Sequence, residues 1–255
     1  MPAAFVGHGS PMNALENNRY TDAWRELGER VPTPRAVLVV SAHWYIASTA
    51  VTAMSRPRTI HDFYGFPQQL SDVRYPAPGH PQVAKEVVEE VKPTWVGLDQ
   101  DSWGLDHGTW SVLTHMFPKA DVPVVQLSID ALKSPEYHLE LGAKLNGLRR
   151  SGVFVLGSGN VVHNLRRLDW DKPSGSYDWA RRFDDAARER MVNDPGSMLE
   201  MRGHPDYSSA VPTPDHFIPA VYFGGLAAEA GETPTTIVDG YSMGSLSMTS
   251  YAIGL

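Results

Sequence analysis

The chain has 255 residues, of which 42% are hydrophobic and 20% charged, and its formal net charge is −7. This acidic balance argues against nucleic acid or an anionic membrane surface as the main partner. The chain has no cysteine, which excludes disulfides, thiolate catalysis and cysteine-based metal sites. Any metal site must therefore use the 10 histidines, the carboxylates or other oxygen donors.

The chain begins without a basic segment followed by an apolar core, so the sequence predicts no signal peptide. Its longest apolar runs, such as Ala36–Val40, are too short to cross a bilayer. We therefore expect a cytoplasmic protein.

Short β-branched runs alternate with amphipathic segments along the chain. Several of the runs are continuously apolar, which is typical of strands covered on both faces. The predicted strands are 3–6, 36–41, 49–54, 122–129, 153–156, 235–238 and 245–251. The predicted helices are 20–30, 81–91, 135–149, 177–192 and 216–228. This alternation predicts an α/β sheet with helices on both sides, and no linker divides residues 1–255 into separate domains.

Three histidines follow predicted strands, and a fourth stands at the start of a predicted helix. His8 lies between two glycines after the first strand, His43 and His163 follow two further strands, and His216 precedes the last helix. Open α/β sheets bind ligands beyond the carboxyl ends of their strands. Any one of these histidines taken alone is more often structural. Together they predict a shared metal site, because neutral imidazole binds zinc, iron, copper and nickel.

Two further stretches, "DSWGLDHGTW" and "TIHDFYGFP", carry candidate functional residues. His107 in the first is either an acid/base group of the site or a structural residue at a helix N-terminus. His61 and Phe63 in the second lie in the long Pro-rich segment 55–81. Long ordered loops are often functional, so this loop either covers a substrate or is a surface loop packed by its own aromatic side chains.

The motifs "GHGSPMN", "VVSAHW", "TIHDFYGFP", "YPAPG", "WGLDHGTW", "VVQLSID", "GSGNVVHNL", "TPDHFIP" and "MGSLSM" occur in this order. Over nearly the whole chain they resemble the 4,5-DOPA extradiol dioxygenase family, a branch of the class III, LigB-like ring-cleaving dioxygenases. The resemblance implies a three-layer α/β/α fold around a mixed or mostly parallel sheet. It also implies a non-haem metal in a cleft at one end of that sheet.

The resemblance assigns roles to the histidines of this chain. It implies that His8, His43 and His216 are metal ligands, and that His163 is either a fourth ligand or the acid/base. His107 matches a further catalytic histidine of the cleft. We expect the loop that holds His61 and Phe63 to contact the substrate.

The metal that the resemblance implies for catalysis is Fe(II). The broader superfamily holds iron with two histidines and a glutamate, whereas this chain offers His216 beside Asp215. Zinc on His8, His43, His163 and His216 therefore remains an option for the isolated protein. An unperturbed imidazole pKa of ~6.5 would suit His163 both as base and as acid.

The implied activity is extradiol cleavage of a DOPA-like catechol by O₂, which gives a muconic semialdehyde-type product. A zinc-dependent hydrolase on the same scaffold is one alternative, and a non-enzymatic binding protein is another. The implied partners are the small catechol and O₂, with neither nucleic acid nor membrane. The sequence leaves the ring substituent and the oligomeric state open.

Overall fold

Buried strands and helices alternate along the chain, as the hydrophobic pattern predicts. The computed structural model describes residues 1–255. Its strands are β1 (Ala3–Gly7), β2 (Ala36–Ile46), β3 (Ala50–Thr52), β4 (Gly97–Asp99), β5 (Val124–Asp130), β6 (Val153–Gly159), β7 (Thr235–Val238), β8 (Tyr241–Ser242), β9 (Leu246–Ser247) and β10 (Ser250–Ile253). Its helices are α1 (Arg19–Arg30), α2 (Gln68–Ser71), α3 (Pro81–Glu90), α4 (His107–Met116), α5 (Pro135–Arg150), α6 (Asp178–Asn193), α7 (Tyr207–Ala210) and α8 (Ile218–Ala230). Shorter 3₁₀ turns are Pro11–Ala14, Leu165–Arg167 and Pro195–Gly203.

Eight of the strands form one mixed sheet in the order β4-β3-β5-β2-β6-β1-β10-β7. The central strands β5, β2, β6 and β1 are parallel to their neighbours in this group, and β10 runs antiparallel beside β1. The carboxyl ends of β1, β2 and β6 therefore meet at one edge of the sheet. This is the edge at which the sequence places His8, His43 and His163.

The sheet has a hydrophobic core on each face. Side chains alternate along each strand, so that Phe5 and Leu38 enter one core, whereas Val6 and Val39 enter the other. Helices α3, α5, α6 and α8 cover the first face, and α1 and α4 cover the second. This arrangement confirms the predicted three-layer α/β/α fold. None of the helices combines the length and the apolar character that crossing a bilayer requires.

One helix close to the site, α4, is missing from the sequence prediction. Nine of its ten residues are buried, from His107 to Met116 with Thr114 as the exception. A helix that is buried on all sides lacks the one-sided apolar pattern by which helices are identified in sequences. The interpretation of His107 as a helix N-terminal residue is nevertheless correct, because α4 begins there.

Candidate metal centre

Five histidines converge at the carboxyl edge of the sheet. The rings of His8, His43 and His216 have centroids 5.1, 5.3 and 5.0 Å apart, taken pairwise. His107 packs against His43 at 3.8 Å, and His163 stacks on His216 at 3.5 Å with an angle of 3° between the ring planes. The structure thus brings together all five histidines that the sequence analysis proposes for the metal site and its acid/base chemistry.

His8 is held at the end of β1 by a close turn and by a buried hydroxyl. Gly9 follows it with a φ of +61°, a conformation that glycine adopts without strain. The Nδ1 atom of His8 lies 3.0 Å from Oγ of Ser158. The Ser158 hydroxyl has one proton, which it donates to the Gly108 carbonyl at 2.5 Å. Its oxygen must therefore accept a hydrogen bond from the N–H at His8 Nδ1, and this leaves the lone pair of His8 on Nε2.

His43 reaches the site through an irregularity in β2. The register of β2 against β5 shifts between Val40 and Tyr45, so this part of the strand bulges from regular pairing. The Nδ1 atom of His43 lies 3.2 Å from Oδ2 of Asp62. An ionised carboxylate accepts hydrogen bonds but does not donate them, so the proton of neutral His43 is favoured at Nδ1.

The rings of His8 and His43 are oriented so that both could bind one cation. The Nε2 atoms of His8 and His43 face each other at 3.2 Å. With both protons on Nδ1, two lone pairs would point at one another. The contact becomes favourable only when a positive charge, a proton or a metal ion, lies between them. Partners on the outer nitrogen are typical of histidines that bind metal through the other one.

His216 follows the same pattern. Its Nδ1 lies 2.5 Å from Oδ2 of Asp215, which again leaves Nε2 as the free nitrogen. A metal–nitrogen bond is about 2.0–2.1 Å long, so imidazoles that share one ion have ring centres about 5 Å apart. The three separations among His8, His43 and His216 match this value.

His107 also has ring nitrogens within metal-binding reach. Possible ligand atoms of His8, His43 and His107 lie within 4.8 Å of one another. The Nδ1 atom of His107 is 3.0 Å from Oδ1 of Asp62 but makes no hydrogen bond with it. Asp62 Oδ1 instead accepts a well-aligned hydrogen bond from the backbone N–H of His107 at 2.9 Å.

Burial and neighbouring charges set the protonation of the cluster. Burial lowers the pKa values of His8 and His216 well below normal, and the adjacent histidines lower them further. Burial also opposes protonation of His43, but nearby carboxylates, above all Asp62, outweigh it and raise the pKa of His43. The field at His43 therefore favours a positive charge there.

His163 differs from the expectation of an unperturbed imidazole. Burial lowers the pKa of His163 to about 4, although the Asp215 carboxylate opposes this shift. At neutral pH its ring is therefore neutral and able to accept a proton.

The two substrate-loop residues lie at different depths. The Phe63 ring is 5.6 Å from that of His107, so it borders the cluster. His61 lies behind it, packed on Phe63 and Trp110, with Nε2 2.9 Å from the Val73 carbonyl. The remaining histidines, His80, His115, His138 and His204, lie elsewhere and each has a local hydrogen-bond partner.

The residues that orient the histidine rings, namely Asp62, Ser158 and Asp215, have no role in the sequence-based prediction. Asp62 and Asp215 each stand next to a histidine in the sequence, in "HD" and "DH". Ser158 carries no such signal, because its contact with His8 spans 150 residues.

The chain is similar to known proteins over almost its whole length. Residues 2–252 match the family described as the catalytic LigB subunit of aromatic ring-opening dioxygenase. The chain is 49% identical to a 4,5-DOPA dioxygenase extradiol of Escherichia coli K12, over 100% of this chain and 95% of that protein. It is 33% identical to a 4,5-DOPA dioxygenase extradiol of Beta vulgaris, over 97% of this chain and 94% of that protein.

A solved structure is similar over the full length. The crystal structure of an uncharacterized protein of Escherichia coli K12 superposes with a TM-score of 0.87 at 43% identity and covers 100% of both chains. This similarity confirms the fold, and the family match extends over almost every residue of the chain. The chain therefore belongs to the LigB family and is a metal-dependent aromatic ring-opening dioxygenase.

Proposed function

We propose that this enzyme, with residues 1–255 as one catalytic domain, cleaves a catechol beside its two hydroxyls, using a metal ion held by His8, His43 and His216. The observation that best supports this metal site is the shared orientation of the three rings. Each has Nδ1 beside an oxygen atom and Nε2 left for a ligand. Their ring separations suit one ion.

We assign His107 beside the metal rather than on it. Its ring centroid is 3.8 Å from that of His43 and 5.9 Å from that of His8. The first distance is shorter, and the second longer, than the about 5 Å expected for imidazoles on one ion. His107 is thereby placed to contact a substrate bound at the metal.

We assign His163 as the acid/base. Its ring lies parallel to that of His216, so both rings cannot point at one ion. The neutral His163 imidazole is available to take a proton from a catechol hydroxyl and to return it when the opened product forms. The bound metal supplies the electron-transfer chemistry between catechol and dioxygen.

The substrate class follows from the relatives and from the loop. The relatives of Escherichia coli and Beta vulgaris are named for 4,5-DOPA. We propose a DOPA-like catechol, with its ring against Phe63 and its side chain toward the loop of His61. The cleaved product is a muconic semialdehyde.

The metal that we propose for catalysis is Fe(II). Three imidazoles and no directly placed carboxylate form a site that also accepts Zn(II), which has no redox chemistry. Zinc at this site would leave the protein folded and inactive in ring cleavage.

The test is anaerobic reconstitution with Fe(II), followed by oxygen uptake with a panel of catechols. We expect uptake and a yellow ring-fission product with DOPA, and neither with the zinc-loaded enzyme. Turnover of an ester or amide by the zinc form without oxygen uptake by the iron form would instead identify a hydrolase. Catechol binding by calorimetry with no turnover in either form would identify a binding protein.

A further inference from the structure

A single carboxylate connects a metal ligand, a cleft histidine and the substrate loop. Asp62 places Oδ2 3.2 Å from Nδ1 of His43, and Oδ1 3.0 Å from Nδ1 of His107. The same Oδ1 accepts the backbone N–H at the start of α4. The Asp62 side chain is 17% exposed, so these contacts are largely shielded from water.

The segment around Asp62 is anchored on one side and free on the other. Before it, the backbone N–H of Ile60 donates to Leu105, and the Ile60 carbonyl accepts from the indole N–H of Trp110. After it come Phe63 and an exposed tip, in which Tyr64 is 96% exposed. Asp62 is thus the last polar anchor before the tip.

We propose that Asp62 is a positioning residue that turns His43 toward the metal and couples occupation of the metal site to the placement of the loop tip. This inference rests on the metal site of the proposed function. Because a carboxylate only accepts hydrogen bonds, Asp62 favours the proton of His43 on Nδ1 and leaves the Nε2 atom of His43 free, while it holds His107 through the backbone N–H. When a metal fixes His43, Asp62 is fixed with it, and so is the neighbouring Phe63 that borders the cleft.

The first test compares Asp62→Asn with Asp72→Asn, which changes an exposed carboxylate of the same loop region. An amide offers both a donor and an acceptor and no longer imposes one tautomer. We expect Zn(II) affinity, measured by competition with a chromophoric chelator, to fall ~10–100-fold in Asp62→Asn. We expect no change in Asp72→Asn. Wild-type affinity in Asp62→Asn would overturn the proposal.

The second test reads the tautomers directly. In ¹⁵N-histidine spectra of the metal-free protein, we expect the Asp62→Asn variant to shift the signals of His43 and His107. The signal of His138, whose Nδ1 lies 3.1 Å from the Tyr222 hydroxyl outside the histidine cluster, should keep its position and thereby report an intact fold. Unchanged His43 and His107 signals would contradict the positioning role.

The third test addresses the coupling to the loop. We expect added Zn(II) to slow hydrogen exchange at residues 63–66 in the wild type and in Asp72→Asn, but not in Asp62→Asn. Equal protection by Zn(II) in all three proteins would refute the coupling. None of these readouts requires ring cleavage, so a failure of the proposed reaction would leave them informative, and their failure would leave the reaction unaffected.

Discussion

Two buried polar clusters lie near the C-terminal part of the sheet, and they differ in how their atoms are paired. In the histidine cluster, the Nε2 atoms of His8 and His43 face each other at 3.2 Å, an arrangement suited to holding a cation between them. In the second cluster, the buried Asp184 carboxylate accepts hydrogen bonds from Ser247 at 2.5 Å and Thr249 at 2.7 Å. Tyr241 donates a third at 3.2 Å.

The difference distinguishes a ligand-binding site, the histidine cluster, from the Asp184 cluster, which we call the structural tie because its hydrogen bonds connect parts of the fold. Each of the three hydroxyl donors in the Asp184 cluster meets the carboxylate, so this cluster needs no metal or other ligand. It joins α6 to the C-terminal residues 241–249, and Met248 in that segment packs against Gly9 beside His8. The histidine cluster instead directs ring nitrogens of two residues at one another, which suits a bound positive charge. We therefore expect the first cluster to respond to metal and the second only to folding.

The largest effect should come from removing a ligand of the histidine cluster. We expect His8→Ala, His43→Ala and His216→Ala each to lose bound metal and ring-cleaving turnover altogether. Loss of a residue that only orients a ligand lowers metal affinity ~10–100-fold, and loss of the ligand itself should lower it further. Metal content by elemental analysis checks this expectation. His107→Ala should keep its metal.

The matched control is His80→Asn, which exchanges one helix N-cap for another at the start of α3. Its metal content should equal that of the wild type. If His107→Ala lost its metal while His216→Ala kept it, the ligand set would be His8, His43 and His107 instead.

The next effect should come from the acid/base. His163→Ala should keep its metal but lose turnover by ~10²–10⁴-fold, the usual contribution of a general acid/base. Turnover per bound iron is the measurement. Loss of metal together with turnover would make His163 a fourth ligand, which its stacking on His216 argues against.

Much of the fold could be predicted from the sequence, because continuous apolar runs such as those of β2 and β6 indicate strands buried on both faces. The predicted position of His8 at a strand end likewise indicates a shared site, whereas His43 lies within β2, which continues beyond the predicted end at residue 41 to Ile46. The preference for His216 over His107 as third ligand comes from the family resemblance and not from the strand pattern, because the ring separations of the two residues from His8 and His43 differ by only about 1 Å and are set by tertiary packing. Helix α4, which carries His107, was itself hidden by its uniform burial.

The smallest effect concerns the pH dependence of the structural tie. Burial raises the pKa of Asp184 to about 6, despite the three hydroxyls that donate to it, from an ordinary value of 3.8. The folded state therefore binds this proton more tightly than the unfolded state. Protonation favours folding, so the contribution of Asp184 to the free energy of unfolding is full below about pH 4 and is lost as the pH rises to about 6.

Asp184→Asn replaces this acid with a side chain of the same shape that does not ionise. Relative to the variant, the wild type should lose about 2 kcal/mol of unfolding free energy between pH ~4.5 and ~7, since one pKa unit is 1.36 kcal/mol. Urea unfolding with chelator present measures this difference while the histidines titrate equally in both proteins. Asp185→Asn, at a half-exposed neighbour, should follow the wild-type curve. If the Asp184→Asn curve ran parallel to that of the wild type as well, Asp184 would be ionised throughout. In that case the Asp184 carboxylate would be charged in the folded protein, because the hydrogen bonds from the three hydroxyls would outweigh the effect of burial on its pKa.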